Sequence, residues 1–567
     1  MTNQQIFNLL KLHASLLELH GENNFKVRSY HTAVFNMEAL TEPLSDMSLK
    51  ELQELDGVGK AIATKIDDIN QTSTFKQLEE YRAKTPEGLI DMMGIDGLGI
   101  KKIKVIWEEL GIEDIEALLL ACETDQLAQV KGFGQKTQEN IKNSLLFRKA
   151  NAQRLHYAQA ETLAQQLKDY LQEKSLSGKF EVVGQIRRKL NLVDQVQVIA
   201  TTPQEELFTA LTNCEFLEQN LKNTGLYAWR GKFANSPLRV EARWCTANEF
   251  AGEVFIHSAS PTHLEYAEAG MPTLYQIARE HKLPTEEAIY QKANLAYVVP
   301  EMREGDFELA LAKTGKLPKL LEVSDLKGIL HAHSTYSDGK NTLEEMALAV
   351  KNAGYEYLGI TDHSQSAFYA NGLPVGRVLD QIKEIDALNE KLAPFKIFKG
   401  MESDIIADGG LDYDNDILAK FDFIIASVHS GLKMAEEKAT SRLIKAIENP
   451  YTTMLGHPTG RLLLRREGYP VNHKKIIDAC AANNVSIEIN ASPWRLDIDW
   501  QWVHYAIEKG VKLSINPDSH EVGTIDHVYY GVCVGRKGGL TKEMTLNTLG
   551  VDTLGKYFAD RKKQKGI

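Results

Sequence analysis

Short apolar segments that each run into a histidine or an aspartate recur along the chain from residue 328 onward. Gly328-Ile-Leu leads to His331-Ala-His333, and Tyr357-Leu-Gly-Ile leads to Thr361-Asp-His363. Phe423-Ile-Ile-Ala and Lys512-Leu-Ser-Ile lead to further sites of this kind. Successive strands of a barrel deliver side chains to one rim in this way. The pattern therefore predicts a barrel whose rim carries a metal-dependent hydrolytic site.

The spacing within these sites favours a shared metal centre. In an extended segment, residues two apart point to the same face, so His331 and His333 can reach one ion, as can Asp518 and His520. Imidazole and carboxylate ligands without thiolate are typical of Zn²⁺ or Mn²⁺. Neighbouring ions lower the pKa of a bound water and hold a phosphate, which predicts phosphoester hydrolysis.

Residues 325 to 545 resemble the PHP (polymerase and histidinol phosphatase) domain, a distorted (β/α)7 barrel. The resemblance implies three divalent ions, Zn²⁺, Mn²⁺ or both, held by nine ligands. It places His331, His333, Glu402 and Asp518 on one ion; Glu402, His429 and His457 on a second; and Asp338, His363 and His520 on a third. Ile329 stands where that family often has an acidic residue, which in the family scheme is not a direct ligand.

Composition limits the remaining possibilities. A chain of 567 residues has room for three or four domains, and its net charge of −12 argues against indiscriminate coating of nucleic acid. No apolar run reaches membrane-spanning length, and MTNQQIFNLL has no secretory pattern. The five cysteines lack Cys-x-x-Cys spacing, which is typical of reduced thiols. These features predict a cytoplasmic protein without membrane contact.

Three Gly-x-Gly turns near the N-terminus predict contacts to DNA. Each turn precedes a helical stretch, so its backbone N–H groups can approach a phosphate with lysines close behind. The residues are Gly57, Gly59 and Lys60; Gly97, Gly99, Lys101 and Lys102; and Gly132 and Gly134. They resemble helix-hairpin-helix modules, which grip the DNA backbone without reading sequence. A nucleotide-binding glycine loop is disfavoured, because no strand precedes the turns and Gly-x-Gly-x-x-Gly is missing.

Residues 1 to 545 as a whole resemble a bacterial family X DNA polymerase with a C-terminal PHP domain. Glu286-Glu-Ala-Ile-Tyr290 and Val299-Pro-Glu-Met-Arg-Glu-Gly305 match the polymerase thumb and its exit. By this resemblance Lys26 and Tyr30 lie at a 5′-phosphate pocket, and Lys65 matches the Schiff-base lysine of a lyase domain. A solvated helix lysine is the alternative for Lys65.

The palm departs from the family pattern at the positions of its metal-binding carboxylates. Gln195 and Gln197 occupy the two aspartate positions after Gly184-Gln-Ile-Arg-Arg188, and Pro237 occupies the third. A neutral amide brings no charge to Mg²⁺, whereas the two-metal mechanism of nucleotidyl transfer needs carboxylate ligands. We therefore expect a palm that is retained as a scaffold and has lost polymerase activity.

The combined prediction is a multidomain, monomeric DNA-processing enzyme with helical hairpin domains, an α+β polymerase-like palm and thumb, and a C-terminal α/β barrel. The expected domains are a lyase-like helical domain (1–88), a fingers-like hairpin domain (89–150), a degenerate palm and thumb (151–318) and the PHP domain (325–567). Its expected partner is gapped, nicked or 3′-ended DNA, bound without sequence preference.

The resemblance implies 3′→5′ exonuclease, 3′-phosphatase or abasic-site endonuclease activity at the barrel. Arg461, close behind the predicted ligand His457, is expected either to hold phosphate oxygens or to be a surface arginine. Two other functions remain open, an active gap-filling polymerase and a phosphatase for small phosphate monoesters.

Overall fold

A computed structural model describes residues 1–37, 40, 42–95 and 97–567. The chain divides into two compact units, Met1–Ala152 and Gln153–Ile567. Each unit is described by itself below.

The first unit is helical. Its helices are α1 (Asn3–Leu19), α2 (Asn24–Met37), α3 (Leu49–Glu54), α4 (Lys60–Thr72), α5 (Lys76–Lys84), α6 (Glu87–Met92), α7 (Ile100–Leu110), α8 (Ile115–Glu123) and α9 (Gln135–Asn151). A capping box between Thr2 and Gln5 starts α1, and apolar side chains at Ile6, Leu10 and Leu17 face inward at helical spacing. One apolar core lies between residues 6 and 78, and a second lies mainly between 89 and 145.

The second unit begins with a five-stranded mixed sheet of order β2-β4-β7-β6-β5 and a small β1-β3 ladder. The elements are β1 (Leu155–His156), α10 (Tyr157–Glu173), β2 (Phe180–Val183), α11 (Gly184–Arg187), β3 (Leu192–Val193), β4 (Gln195–Ala200), α12 (Gln204–Thr212), β5 (Leu217–Gln219), β6 (Ala228–Phe233) and β7 (Arg239–Trp244). β4 alternates valine with glutamine, so Val196 and Val198 are buried while Gln195 and Gln197 face the half-exposed side.

Five helices follow the mixed sheet: α13 (Phe250–His257), α14 (Pro261–Leu264), α15 (Leu274–Glu280), α16 (Glu286–Lys292) and α17 (Glu308–Thr314). They enclose their own apolar core around Phe255 and Tyr290. Arg303 is fully buried there, with its Nε donating to the Val298 carbonyl oxygen at 2.9 Å.

The barrel is a parallel sheet of seven strands, in an order that follows the chain, counted in residues 153–567, all of which are described. Its strands are β8 (Gly328–Ile329), β9 (Tyr357–Ile360), β10 (Lys396–Asp404), β11 (Phe423–Ser427), β12 (Met454–Leu455), β13 (Ser486–Asn490) and β14 (Leu513–Asn516). A parallel bridge between Ala332 and Ser519 joins the two edges and nearly closes the barrel.

Helices cover the outside of the barrel, and their apolar faces explain why its strands are buried on both sides. They are α18 (Leu343–Asn352), α19 (Val375–Leu392), α20 (Asn415–Leu418), α21 (Glu436–Glu448), α22 (His473–Asn483), α23 (Trp500–Glu508), α24 (Val528–Lys537) and α25 (Val551–Lys565). Leu554 and Phe558 of α25 pack on Tyr357, Phe398 and Phe423, near the first residues of the strands. The opposite rim, where the strands end, stays uncovered by α25.

Polar contacts join the mixed sheet and its helices to the barrel within the second unit. Lys189 Nζ lies 2.7 Å from Tyr529 Oη, and His156 Nε2 lies 3.0 Å from the Leu463 carbonyl oxygen. Lys537 of α24 is buried, forms an ion pair with Glu304 and donates to the Arg188 carbonyl oxygen at 3.1 Å. Breaking such a buried ion pair leaves an uncompensated charge, so these contacts hold the two parts together.

The predicted fold class is confirmed: a helical N-terminal region, a mixed α/β middle and a C-terminal barrel. The predicted domain boundaries stay predictions. The contacts within the chain separate only two units, which meet after residue 152. Across the described residues, no helix combines the length and apolarity needed to cross a membrane.

Candidate metal centre and DNA-contacting turns

All seven barrel strands bring at least one polar side chain to the same rim. In chain order these are His331 and His333 after β8, His363 after β9, Glu402 and Asp404 in β10, His429 after β11, His457 after β12, Glu488 in β13, and Asp518 and His520 after β14. Asp338 joins them from the loop after β8. The carboxyl ends of parallel strands converge at one edge, which explains how a sequence with scattered ligands builds one cluster.

Glu402 lies at the middle of the cluster and is almost fully buried. Its Oε1 atom lies 3.2 Å from His429 Nε2 and 3.0 Å from His457 Nε2. Its Oε2 atom lies 3.0 Å from His363 Nδ1, 3.4 Å from His331 Nε2 and 3.6 Å from His333 Nε2. One carboxylate therefore faces five imidazoles, three through one oxygen and two through the other. This arrangement suits a carboxylate that bridges metal ions.

The other predicted ligands form two neighbouring groups. Asp518 Oδ1 lies 3.1 Å from His333 Nε2 and 3.4 Å from His331 Nε2. Asp338 Oδ1 lies 3.4 Å from His520 Nε2 and 3.7 Å from His363 Nε2. Four groups within the described residues have ligand atoms close enough to share an ion: His331, His333 and Asp518; His333, Asp338, His363 and His520; Glu402, His429 and His457; and His363, Asp404 and His429. The structure thus brings all nine predicted ligands together.

Unpaired nitrogens and ionised carboxylates in the cluster fit divalent ions. His331 Nε2 and His363 Nδ1 are buried without a hydrogen-bond partner, although both point toward Glu402. Burial lowers the pKa of His363 to about 3, which leaves its lone pair free for a ligand bond. Burial alone would raise the pKa of Asp338, but His520 and His333 outweigh it and hold that pKa at about 2. Glu402 is likewise held ionised, because histidines around it keep its pKa well below the usual range despite burial.

Two buried carboxylates that the sequence did not single out orient the histidines. Glu488 Oε1 lies 2.6 Å from His331 Nδ1, and its Oε2 accepts a hydrogen bond of 2.8 Å from the His457 backbone N–H. Asp404 Oδ1 lies 2.6 Å from His429 Nδ1. Each carboxylate fixes the imidazole so that Nε2 faces the cluster. The sequence could have indicated Asp404, because it lies two residues after Glu402 on the same strand and its side chain therefore points to the same face.

Arg461 is turned away from the cluster. Its Nη1 donates to Asp499 Oδ2 at 2.7 Å, its Nε donates to the Arg495 carbonyl oxygen at 2.9 Å, and its Nη2 donates to the Leu496 carbonyl oxygen. Arg495 instead approaches the metal ligands, with Nε 3.8 Å from Asp518 Oδ2 and a partly exposed side chain. The predicted phosphate contact of Arg461 stays a prediction, and Arg495 has the better position for it.

The three Gly-x-Gly turns of the first unit share one geometry. The first glycine of each turn has a positive φ: 75° at Gly57, 86° at Gly97 and 94° at Gly132. The second glycine caps the following helix: Gly59 precedes α4, Gly99 precedes α7 and Gly134 precedes α9. The apolar residue between them, Val58, Leu98 or Phe133, is buried and anchors the turn.

Space around these turns is open where a phosphate would approach. No atom lies within 4 Å of a Cβ built at Gly59, Gly97, Gly99, Gly132 or Gly134 in the described structure. The free N–H groups of a helix N-terminus attract anions, and helix α4 starts with Lys60 while α7 carries Lys101 and Lys102 in its first turn. The geometry of each turn suits contact with a backbone phosphate, and the DNA contact of these residues stays a prediction.

Lys65 lies on α4 above two aromatic rings. Its Nζ is 5.9 Å from the centroid of Tyr30 and 5.8 Å from that of Phe75, and it donates to the Ala61 carbonyl oxygen at 3.3 Å. Burial and the charge of Lys26 lower the pKa of Lys65, although Asp68 raises it. Tyr30 is buried, and Lys26 lies 3.8 Å from Glu22. A lysine with a lowered pKa is a suitable nucleophile, and the lyase role stays a prediction.

The palm positions Gln195, Gln197 and Pro237 lie along β4 and just before β7. Gln195 pairs with Arg239 across the sheet, and Gln197 pairs with Glu241. Gln195, Pro237 and Glu241 line a cleft of about 820 Å³. Glu241 is held by two arginines, with Oε2 2.6 Å from Arg230 Nε and Oε1 2.7 Å from Arg243 Nε. In residues 153–567, which are all described, the potential metal-binding groups lie in the barrel and none lies in this cleft.

Fold and site together define a class of protein: a helical region with three Gly-x-Gly turns and a mixed α/β middle, followed by a parallel barrel whose rim carries a cluster of potential metal ligands. Family models match the first and the last of these parts. Residues 1–75 match a helix-hairpin-helix domain, residues 89–145 match a SAM-like helix-hairpin-helix tandem, and residues 330–492 match the PHP domain.

The chain belongs to the PolX family of DNA polymerases/3′-5′ exonucleases. It is 33% identical over 560 residues to the DNA polymerase/3′-5′ exonuclease PolX of Bacillus subtilis, a match that covers 96% of this chain and 97% of that protein. Proteins named "Probable phosphatase" match only part of the chain. The one from Thermoanaerobacter sp. is 28% identical over 254 residues, covering 42% of this chain and 98% of its own length, and the one from Acetivibrio thermocellus is 31% identical over 212 residues, covering 35% and 83%.

The family prediction is confirmed, and so are the hairpin and PHP assignments. The predicted loss of polymerase activity is not supported by these comparisons, because the full-length relative is named a polymerase as well as an exonuclease. The comparisons thus favour the polymerase alternative over an inactive palm.

Proposed function

We propose that this protein hydrolyses phosphodiester bonds at the 3′ ends of gapped or nicked DNA, and that the barrel rim is the active site. The observation that carries the proposal is Glu402, a buried carboxylate with five imidazoles within 3.6 Å of its two oxygens. Membership of a family whose Bacillus subtilis member is named a 3′-5′ exonuclease supports the direction of attack.

The residues of the rim have separable roles in this reaction. His331, His333, His363, His429, His457 and His520, with Asp338, Glu402 and Asp518, would hold up to three Zn²⁺ or Mn²⁺ ions, which when bound supply an ionised water and positive charge for phosphate oxygens. Asp404 and Glu488 fix the imidazole orientations. Arg495 places a positive charge beside Asp518 for the non-bridging oxygens of the scissile phosphate.

The first unit supplies the grip on DNA. Its open glycine turns contact the backbone of either strand without reading bases, and the net charge of −12 leaves this task to local sites. Binding is therefore indifferent to sequence and weakens as salt rises.

Nucleotide addition in the palm is the second candidate function, and the full-length relative's name favours it. Against it stand the side chains of the cleft. Gln195 and Gln197 carry no charge, and the carboxylate of Glu241 is already compensated by Arg230 and Arg243. Mg²⁺ beside a triphosphate needs carboxylates whose charge is not already neutralised by arginines. We therefore propose that the palm positions DNA without adding nucleotides to it.

Hydrolysis of small phosphate monoesters is a third candidate, favoured by the relatives named "Probable phosphatase". Those matches cover 42% or less of this chain. The hairpin turns in the rest of the chain support DNA as the substrate.

One assay separates the candidates. A 5′-labelled primer on a gapped template is incubated with Mn²⁺, first without and then with deoxynucleoside triphosphates, and products are separated by length. Wild type shortens the primer, and the His331→Ala/His333→Ala variant does not. A double variant that still shortens the primer contradicts the proposal, and one that lengthens it with triphosphates establishes the polymerase candidate. Competition between gapped DNA and a chromogenic phosphate monoester tests the phosphatase candidate.

A further inference from the structure

Three large aromatic side chains are exposed at the rim of the barrel. Phe368 is 88% exposed, Tyr369 is 68% exposed and Trp494 is 50% exposed. None of them belongs to an apolar cluster of the described residues. Large exposed aromatic rings next to a polar site are suited to stacking on a flat ligand.

Phe368 and Tyr369 belong to the loop that follows the predicted ligand His363. The Tyr369 ring lies 6.1 Å from the His363 ring and 6.2 Å from the His429 ring, measured between centroids. The loop is fixed by the Ser366 backbone N–H, which donates to Asp412 Oδ2 at 2.6 Å. The loop therefore places the Tyr369 ring beside the predicted metal centre, with Phe368 next to it in sequence and exposed to solvent.

Trp494 belongs to the loop after β13, which also reaches the metal centre. Asn490, the last residue of β13, donates from Nδ2 to Asp518 Oδ2 at 3.0 Å, and Arg495 Nε in the loop approaches the same oxygen at 3.8 Å. The Trp494 carbonyl oxygen accepts a 2.7 Å hydrogen bond from the Leu463 backbone N–H, which holds the loop in place. The indole ring lies 5.7 Å from the His527 ring and 6.3 Å from the His156 ring, measured between centroids, and Trp494 directly precedes Arg495 in the chain.

We propose that Phe368, Tyr369 and Trp494 form an aromatic rim that stacks on the bases of the last, unpaired nucleotides at a DNA 3′ end. This inference rests on the proposed 3′-end hydrolysis. Every base has a flat face that stacks on aromatic side chains, whatever its identity. The Tyr369 ring lies beside the rings of His363 and His429, so a strand whose phosphate binds in the cluster brings a flanking base within reach of that ring, because bases and phosphates alternate along a strand. The rim accordingly selects ends whose terminal nucleotides are frayed or single-stranded.

If the aromatic rim stacks on bases, the rate of 3′-end hydrolysis depends on the presence of bases. A site that contacts only phosphates would show no such dependence. Two 5′-labelled oligonucleotides are compared, one with ordinary nucleotides throughout and one whose last two residues are baseless tetrahydrofuran analogues. Phe368→Ala, Tyr369→Ala and Trp494→Ala are each assayed for kcat/KM. Tyr275→Ala is the matched control, since Tyr275 is 46% exposed on α15 and lies outside the barrel.

Each rim variant is expected to lose about tenfold in kcat/KM on the ordinary oligonucleotide, within the roughly 5- to 150-fold range of one lost stacking contact. On the baseless oligonucleotide, wild type and variants should hydrolyse equally, and the Tyr275→Ala control should match wild type on both. Rim variants that lose equally on both substrates, or on neither, overturn the inference while leaving 3′-end hydrolysis intact. A wild type that shortens neither oligonucleotide overturns the proposed function together with the rim.

Discussion

Replacing Glu488 with glutamine tests whether a buried carboxylate outside the ligand set controls the metal centre. Both oxygens of Glu488 accept hydrogen bonds from donors, at 2.6 Å from His331 Nδ1 and at 2.8 Å from the His457 backbone N–H. The amide of Glu488→Gln has one acceptor and one N–H₂ group, so it cannot satisfy both donors. The backbone N–H cannot change, whereas an imidazole can switch tautomer.

The change of tautomer at His331 determines how much metal affinity the variant should lose. His331 would then accept at Nδ1 and carry its proton on Nε2, the atom that lies 3.4 Å from Glu402 and from Asp518. A protonated Nε2 cannot bind an ion. Loss of such an orienting partner lowers metal affinity by about 10- to 100-fold, or roughly 1.4 to 2.7 kcal/mol. Exonuclease activity should therefore need about 10 to 100 times more metal and approach the wild-type rate at saturation.

The assay is titration of metal-free protein with Mn²⁺ or Zn²⁺ against a chelating indicator, followed by the primer-shortening rate at each metal concentration. Asp497→Asn is the matched control. Asp497 is also fully buried and accepts two hydrogen bonds, from the backbone N–H and the Oγ1 hydroxyl of Thr459, but it contacts no predicted ligand. Unchanged metal affinity in Glu488→Gln, or an equal loss in Asp497→Asn, would refute the reasoning.

Three further predictions address the bridge, the hairpins and the lysine. Glu402→Gln should reduce the metal content of purified protein as well as its hydrolysis, and full metal content by elemental analysis would remove Glu402 from the cluster. Gly99→Val with Gly134→Val should weaken binding to gapped DNA and leave the thermal midpoint unchanged, because both glycines have extended backbone angles and open surroundings; equal binding at several salt concentrations would contradict this. Borohydride should trap wild type on DNA with a 5′ abasic residue but not Lys65→Ala, and trapping should decline as pH falls because only the neutral amine attacks. Equal trapping by Lys65→Ala would reject the lyase role.

The sequence predicted which residues gather at the barrel rim, because strand periodicity governs both the fold and the placement of the predicted ligands. Most of the predicted ligands lie at or just after the end of a strand, and parallel strands end at one edge, so residue order alone places His331, His429 and Asp518 on the same rim. The hairpin turns were predictable for a similar reason. Each turn needs one glycine with a positive φ and, two residues later, a second glycine that caps the next helix, so the two glycines always appear as Gly-x-Gly in the sequence.

The orienting residues and the direction of Arg461 could not be predicted in the same way. Glu488 lies within Ser486-Ile-Glu-Ile-Asn490, where alternation identifies a strand but does not say which partner a buried carboxylate meets 157 residues away. Arg461 follows His457 closely, yet its long side chain bonds to Asp499 and to backbone carbonyls. Side-chain direction in a loop depends on tertiary contacts that no local pattern records.

Anomalous diffraction from crystals soaked with Mn²⁺ and a deoxynucleoside 5′-monophosphate tests the central claim most directly. The account predicts at least two anomalous peaks within about 2.0 to 2.2 Å of ligand atoms on the rim, one on each side of Glu402, with the phosphate of the nucleotide on those ions. Peaks that do not contact Glu402, or a nucleotide phosphate bound in the palm cleft beside Gln195 with none at the rim, would contradict it.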